Sequence, residues 1–329
     1  MVPGVDSLTV VEGRRRPLDE AIDVAEIVDQ LRNLRAASQR RRYRGAAPEL
    51  PSRKTMGEIV DSLVAAIYPR HFGPQGITAK DADAFVAEAL QSALLALRGQ
   101  VRLEQILVAH GIGVATGEPR PAAEIVSDFA ATLAEVRTLV DSDVRAGFEG
   151  DPSANSLDEI IFCFPGIAAV LRHRLAHRLY RLGARMLARI VAEDAHSLTG
   201  IDIHPGAEIG ERFFIDHGSG VVIGETAIIG RNVRLYQAVT LGAKRFEADP
   251  ETGALRKNYP RHPIVEDDVV IYAGATILGR VVIGKGSSIG GNVWLTHHVP
   301  AGSQITQARA RGEAFRDPDG TLEIHFEEG

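Results

Sequence analysis

A chain of 329 residues with 45% hydrophobic and 24% charged residues has the makeup of a folded protein with a sizeable core and two or three domains. Its net charge of −6 offers no basic footprint, so neither nucleic acid nor an anionic membrane is expected as a partner. The single cysteine, Cys163, excludes an intrachain disulfide and a Cys-based zinc site.

The opening segment MVPGVDSLTVVEGRRRP has no apolar core of a signal peptide, and no uncharged apolar run approaches membrane-spanning length. A cytoplasmic location is therefore expected. Residues 1–200 read as an α-helical domain whose first 50 or so residues are flexible. The arginine run from Arg40 to Arg44 reads as a nucleic-acid patch or as a solvated helix face. The acidic residues between Asp19 and Asp29 favour the face. Residues 82–98 are rich in Ala and Leu at helical spacing, and 121–144 behave alike. After Pro165-Gly166, apolar residues at Ile167, Leu171, Leu175, Leu179, Leu182, Met186 and Ile190 form one helical stripe.

From residue 203 the period changes to six. Ile203, Ile209, Ile215, Val221, Ala227, Val233 and Val239 are evenly spaced, and the pattern returns at Val265, Ile271, Ile277, Ile283, Ile289 and Leu295. Residues 201–300 also hold 14 of the 33 glycines, against 15 in the first 200 residues. A short strand plus a turn consumes six residues, and three such sides make an 18-residue coil whose inward aliphatics stack in ladders. Glycine tolerates the tight corners, and a core of stacked aliphatics needs few aromatics, which are only 5% here. The fold class expected is α+β: a helical N-terminal half, then a left-handed parallel β-helix of hexapeptide repeats over 201–303. Residues 245–264 are polar and aperiodic and read as a loop inserted at a corner. Residues 304–329 read as a C-terminal tail.

Six of the eleven histidines lie in or beside the solenoid: His196, His204, His217, His262, His297 and His298. Histidines converging across subunits could bind zinc, whereas His297-His298 beside Pro300 reads as a solvated turn. His217 stands in the context IDHGSG, where glycines let a ligand approach the backbone. Asp202, 15 residues earlier, is expected one coil below it, where a carboxylate can fix the tautomer of an imidazole base. On spacing alone, solvated polar residues at a solenoid edge are the favoured reading.

The run GIDIHPGAEIGERFFIDHGSGVVIGETAIIG, followed by VTLGA, YPRHP and VVIYAGATILG, closely resembles the bacterial serine acetyltransferases, members of the hexapeptide-repeat acyltransferases. Asp151-Pro152 fits as well, at the family's distance from Asp202. The resemblance is strong over 150–300 and looser upstream. It implies transfer of acetyl from acetyl-CoA to the hydroxyl of L-serine, the first step of cysteine biosynthesis. His217 matches the catalytic base and Asp202 its dyad partner. Asp151, Asp216, Arg261 and His262 match residues that grip the ammonium and carboxylate of the amino acid. Gly242, Ala273 and Gly291 fall where the family's coils approach acetyl-CoA. The resemblance further implies no metal, L-cysteine as an inhibitor, and a homotrimer or a dimer of trimers.

Two departures stand out. Ala243 and the long insertion replace the family's compact glycine-rich loop beside acetyl-CoA. The chain also ends HFEEG, without the terminal isoleucine that enters cysteine synthase, so that complex is not expected. The competing readings are the same chemistry on another small hydroxylated acceptor, a zinc-dependent hydratase on this solenoid, and a non-catalytic scaffold.

Overall fold

The computed structural model describes residues 23–43, 45–111, 120–249, 252–257 and 259–307. The C-terminal HFEEG, the first 22 residues of the segment expected to be flexible, and Arg44 of the arginine run therefore lie outside the described residues. The chain divides at Pro48 into two compact units, Met1–Pro48 and Glu49–Gly329.

In the first unit, α1 (Val24–Arg42) starts at Asp23, whose carboxylate accepts the Glu26 N–H at 3.0 Å. Arg40, Arg41 and Arg42 occupy its last turn, where cations suit the negative end of the helix dipole. They are solvent-exposed, as a solvated helix face requires.

The second unit begins with α2 (Arg53–Ile67), α3 (Pro69–Phe72) and α4 (Ala79–Ala109), which extends the expected 82–98 helix at both ends. The expected 121–144 helix is two: α5 (Ala122–Ala131) and α6 (Leu133–Gly150), parted at Thr132, whose hydroxyl turns back to the Phe129 carbonyl. Then come α7 (Leu157–Cys163), α8 (Pro165–Arg181) and α9 (Arg185–Thr199). The single stripe expected from Ile167 to Ile190 is buried only through Leu179. Gly183, at φ +93°, turns the chain there, and α9 buries Leu187, Val191 and Ala195 in a new phase. These helices share one core with Leu63, Leu97, Phe129, Val140 and Ile160.

From Asp202 the chain winds into a three-sided parallel β-helix. Sheet A stacks β1 (Asp202–Ile203), β4 (Val222–Ile223), β7 (Thr240–Gly242), β10 (Thr276–Leu278) and β13 (Trp294–Leu295). Sheet B stacks β2 (Glu208–Ile209), β5 (Ile228–Ile229), β8 (Ile264–Val265) and β11 (Val282–Ile283). Sheet C stacks β3 (Phe214–Ile215), β6 (Arg234–Leu235), β9 (Val270–Ile271), β12 (Ser288–Ile289) and β14 (Gln304–Ile305). All pairings are parallel, with Asp202 in register with Val222, Val222 with Thr240, Thr240 with Thr276 and Thr276 with Trp294.

Those registers correct the uniform 18-residue coil. The first coil spans 20 residues, the second 18, and the third 36 because it carries the inserted loop. The two extra residues of the first coil lie in the turn Asp216–Gly220. The even spacing from Ile203 to Val239 consequently joins two different ladders. Ile203, Ile209 and Ile215 occupy strands, and the strand ladder continues as Ile223, Ile229, Leu235 and Leu241. Val221, Ala227, Val233 and Val239 belong to a second inward ladder at the corners, equally buried.

Helices cover the first coil: α9 packs on β1, and α6 and α8 pack on β3. Gly166 at the start of α8 lies so close that a β-carbon there would stand 2.1 Å from the Ile215 carbonyl oxygen. The solenoid is therefore accessible along its length only upward from that coil.

Candidate active site

His217 sits in the turn between β3 and β4, at the edge where sheet C meets sheet A. The Gly218 N–H bonds the Asp216 carbonyl at 2.6 Å, which makes His217, at φ +56°, the apex of a three-residue turn. Five other non-glycine residues, Arg212, Asn232, Ala238, Asp268 and Asn292, have a similar positive φ, so what sets His217 apart is the tight turn closed by the Gly218 N–H. Gly218, at φ +85°, could not carry a side chain: a β-carbon would stand 2.4 Å from Ile201 Cδ1. The effect is to lift the imidazole off the coil. Its side chain is 70% exposed, with Nδ1 3.6 Å from Asp216 Oδ1.

Asp151 follows α6 and accepts both the backbone N–H and the hydroxyl of Ser153, each at 2.8 Å. Those bonds hold its carboxyl below the usual pKa, and the charges of His217 and Arg234 add to the effect. Asp151, Asp216 and His217 thus share one edge. Asp202 opens the same coil and pairs with Val222 one coil higher, so His217, which is reached before that coil is complete, does not stack over it as expected. Strand alternation turns Ile203 inward and Asp202 outward on sheet A. No hydrogen bond or ion pair joins Asp202 to His217 among the described residues.

Arg261 and His262 stand elsewhere, at the edge where sheet A passes into sheet B. His262 is buried, and its Nδ1 accepts the Thr226 N–H at 3.1 Å, so the ring proton is on Nε2. Burial first, and then the Arg261 charge, push its pKa down to about 4. The ring is a neutral donor near pH 7. Gly224 makes room for it, since a β-carbon there would stand 2.0 Å from His262 Cδ2. Arg261 donates from Nη2 to Glu225 Oε2 at 2.7 Å, and Glu225 Oε1 accepts the Tyr180 hydroxyl at 2.9 Å. Burial opposes ionisation of Glu225, but these two partners outweigh it and hold the carboxyl below its usual pKa. Glu225, Thr226 and Tyr180 were not singled out from sequence. The available signal was a polar pair placed directly after Gly224 at a coil corner. Beside them lies a cavity of about 310 Å³ lined by Tyr180, Arg185, Glu225, Tyr259 and Arg280.

The three glycine-type positions divide the same way. Ala273 and Gly291 lie one above the other on the His217 edge, where the Asn292 N–H bonds the Ala273 carbonyl at 2.8 Å. Gly242 ends β7 at the opposite edge of sheet A, its carbonyl accepting the Gly279 N–H at 2.9 Å. One chain therefore presents two half-sets of groups on the two edges of sheet A. The inserted loop springs from the second edge. It carries an antiparallel bridge between Ala248 and Leu255 and an Arg256–Glu247 ion pair at 2.8 Å.

Among the described residues, no cluster of three His, Cys, Asp or Glu side chains is placed to hold a metal ion. At the last corner, His298 Nδ1 accepts the Val282 N–H at 3.0 Å. No helix among the described residues is long and apolar enough to cross a membrane.

Residues 262–297 match the family model of the bacterial transferase hexapeptide (six repeats). The chain is 55% identical over 275 residues to a plasmid serine acetyltransferase of Synechococcus elongatus, covering 82% of this chain and 86% of that one. Among solved structures it is similar to serine acetyltransferase 1 of Entamoeba histolytica in complex with L-cysteine. That likeness has a TM-score of 0.66 and 33% identity, over 85% of this chain and 97% of the other. It is also similar to the serine acetyltransferase of Neisseria gonorrhoeae in complex with serine. There the TM-score is 0.50 and the identity 27%, over 78% and 96% of the two chains.

Proposed function

This chain belongs to the serine acetyltransferase family, and from that premise we propose that it transfers the acetyl group of acetyl-CoA to the hydroxyl of L-serine, releasing CoA and O-acetyl-L-serine. The observation that carries the reading to particular residues is the tight turn that lifts His217 out of the first coil beside Asp216 and Asp151. His217 removes the hydroxyl proton as oxygen attacks the thioester carbonyl, and the same proton then reaches the departing thiolate. Asp202, on the adjoining face of the same coil, orients and supports the imidazole once substrates close the site. Asp151 and Asp216 receive the serine ammonium.

Arg261 and His262 bind the serine carboxylate, the guanidinium as a charged fork and the neutral imidazole through its Nε2–H. They stand on the other edge of sheet A, so we assign them to a neighbouring copy whose A–B edge meets the His217 edge. A homotrimer supplies three such junctions; a dimer of trimers keeps them. Gly242 of one copy and Ala273 and Gly291 of the next then border acetyl-CoA. No metal is assigned a step, and a cytoplasmic setting suits a chain whose substrates are acetyl-CoA and a free amino acid.

A screen of hydroxylated amino acids with acetyl-CoA, following free thiol, tests the reading. L-serine is expected to support CoA release well above L-homoserine, D-serine or L-threonine. Preference for another acceptor would move the substrate, and release without any acceptor would remove the transferase reading. L-cysteine carries the same ammonium and carboxylate, and we propose that it inhibits in competition with serine. Arg261→Ala is expected to raise the KM for serine and the inhibition constant for cysteine by similar factors, about 10-fold or more for loss of a charge-assisted bond. Unchanged cysteine inhibition beside impaired serine use would place the two ligands in different sites.

A further inference from the structure

The turn residue that follows each sheet C strand forms a column up the His217 edge. The Asp216 N–H bonds Leu235, the Tyr236 N–H bonds Ile271, and the Tyr272 N–H bonds Ile289, each through the carbonyl one coil higher. The column from the first coil upward is therefore Asp216, Tyr236, Tyr272 and Gly290. Tyr236 and Tyr272 lie stacked, with ring centroids 5.2 Å apart and planes within 11° of parallel. The stack then stops. Gly290 has no side chain to continue it, and Tyr272 remains 44% exposed. A part-exposed ring above an enzyme's reactive turn, with no side chain at Gly290 to continue the stack, is a platform for a planar group.

Distance selects which group. Tyr272 stands two coils above Asp216, roughly 10 Å at the usual strand spacing of about 4.8 Å. In an acyl-CoA, seven bonds separate the thioester sulfur from the second amide nitrogen of the pantetheine arm, roughly 9 Å of extended chain. The adenine lies well beyond that. Helices close the foot of the solenoid, so an arm whose thioester is at His217 must run upward along this edge.

We propose that Tyr236 and Tyr272 form a binding platform for the pantetheine arm of acetyl-CoA, with an amide plane resting on the open face of Tyr272. This rests on the acetyl-CoA reading above and adds to it a pair of residues that grip the arm away from the reacting atoms. The ring face is what matters, so the phenolic oxygen of Tyr272 is dispensable.

The test compares acetyl-CoA with S-acetylpantetheine as donors, using the whole chain and its Tyr272→Ala, Tyr272→Phe and Tyr236→Leu variants. Calorimetric titration with CoA gives affinity independent of turnover. Tyr272→Ala is expected to raise the KM for both donors by the same factor, about 3- to 12-fold for one aromatic contact, with the serine KM unchanged. CoA affinity should fall in parallel, Tyr272→Phe should match the parent, and Tyr236→Leu should lie between. A loss confined to acetyl-CoA would assign the ring to the nucleotide and overturn the proposal. So would no loss at all, or a change in oligomer mass that accounts for the defect. If the parent chain itself releases no CoA with serine, the acetyltransferase reading fails; if it does and the variants match it, only the platform fails.

Discussion

His217→Ala is expected to remove acetyl transfer to serine by a factor on the order of 10² or more, the usual contribution of one positioned general base. A serine hydroxyl is almost wholly protonated near pH 7, so it attacks a thioester usefully only while its proton is being taken. In this chain the tight turn brings one imidazole out of the coil at the edge that also carries Asp151 and Asp216. The side chain is exposed and packs against little, so its removal should leave the fold intact. Unfolding by heat should therefore coincide with that of the parent while kcat collapses. His217→Asn should be no better, because an amide cannot accept and return the proton. A folded His217→Ala protein with near-normal kcat would show that the base is elsewhere. Asp202→Asn separates two roles. If Asp202 orients the imidazole only in the closed complex, kcat should fall while the KM for serine changes little.

The solenoid was legible because its physics repeats: each six-residue side must point an aliphatic inward, and the series from Val265 to Leu295 is that strand ladder. The series from Ile203 to Val239 is less direct. It crosses from strand positions to corner positions at Val221, since both sets face the core and a two-residue slip leaves the aliphatic spacing intact. The slip marks the turn that carries His217. An even period thus concealed the place where the coil is deformed. His217, Asp216 and Asp151 were reachable as a group through motif context. The separation of Arg261 and His262 onto the other edge was not, because sequence order does not say which corner of a prism a residue occupies. The helical half was hardest. Thr132 and Gly183 end helices whose apolar pattern runs on past them. Glu225 and Tyr180 are 45 positions apart and meet only because α8 packs across the first coils.

The largest stability effect is expected from a pair that no local pattern announces. Arg174 of α8 and Asp143 of α6 are almost fully buried and joined by two hydrogen bonds, at 2.7 and 2.8 Å. The same Arg174 reaches the carbonyls of Ile209 and Gly210, while Asp143 accepts the Phe213 N–H at 2.9 Å. Two helices and the first coil are tied at one point, the corner between sheets B and C that precedes β3 and the turn carrying His217. Asp143→Asn keeps the shape but leaves a guanidinium that cannot shed its proton unpaired in the interior. The cost should be about 3–5 kcal/mol, or roughly 6–20 °C in Tm for a unit of this size. Arg174→Met should cost less, because the carboxylate left behind can neutralise itself. Burial already pushes the Asp143 pKa up, and Arg174 is what opposes it. In that variant the folded state holds a proton that the unfolded chain releases above a pKa of about 3.9. Its stability should therefore fall as pH rises from that value through the raised folded pKa, a slope opposite to that of an ordinary salt-bridged carboxylate. Replacing both, as Asp143→Leu with Arg174→Met, should recover part of the loss but not all, since Phe213 N–H and the Ile209 and Gly210 carbonyls lose partners. Thermal melts of the three variants across pH 5 to 8 give the comparison. If Asp143→Asn melts within a degree or two of the parent, the pair is not what fastens the helices to the coil.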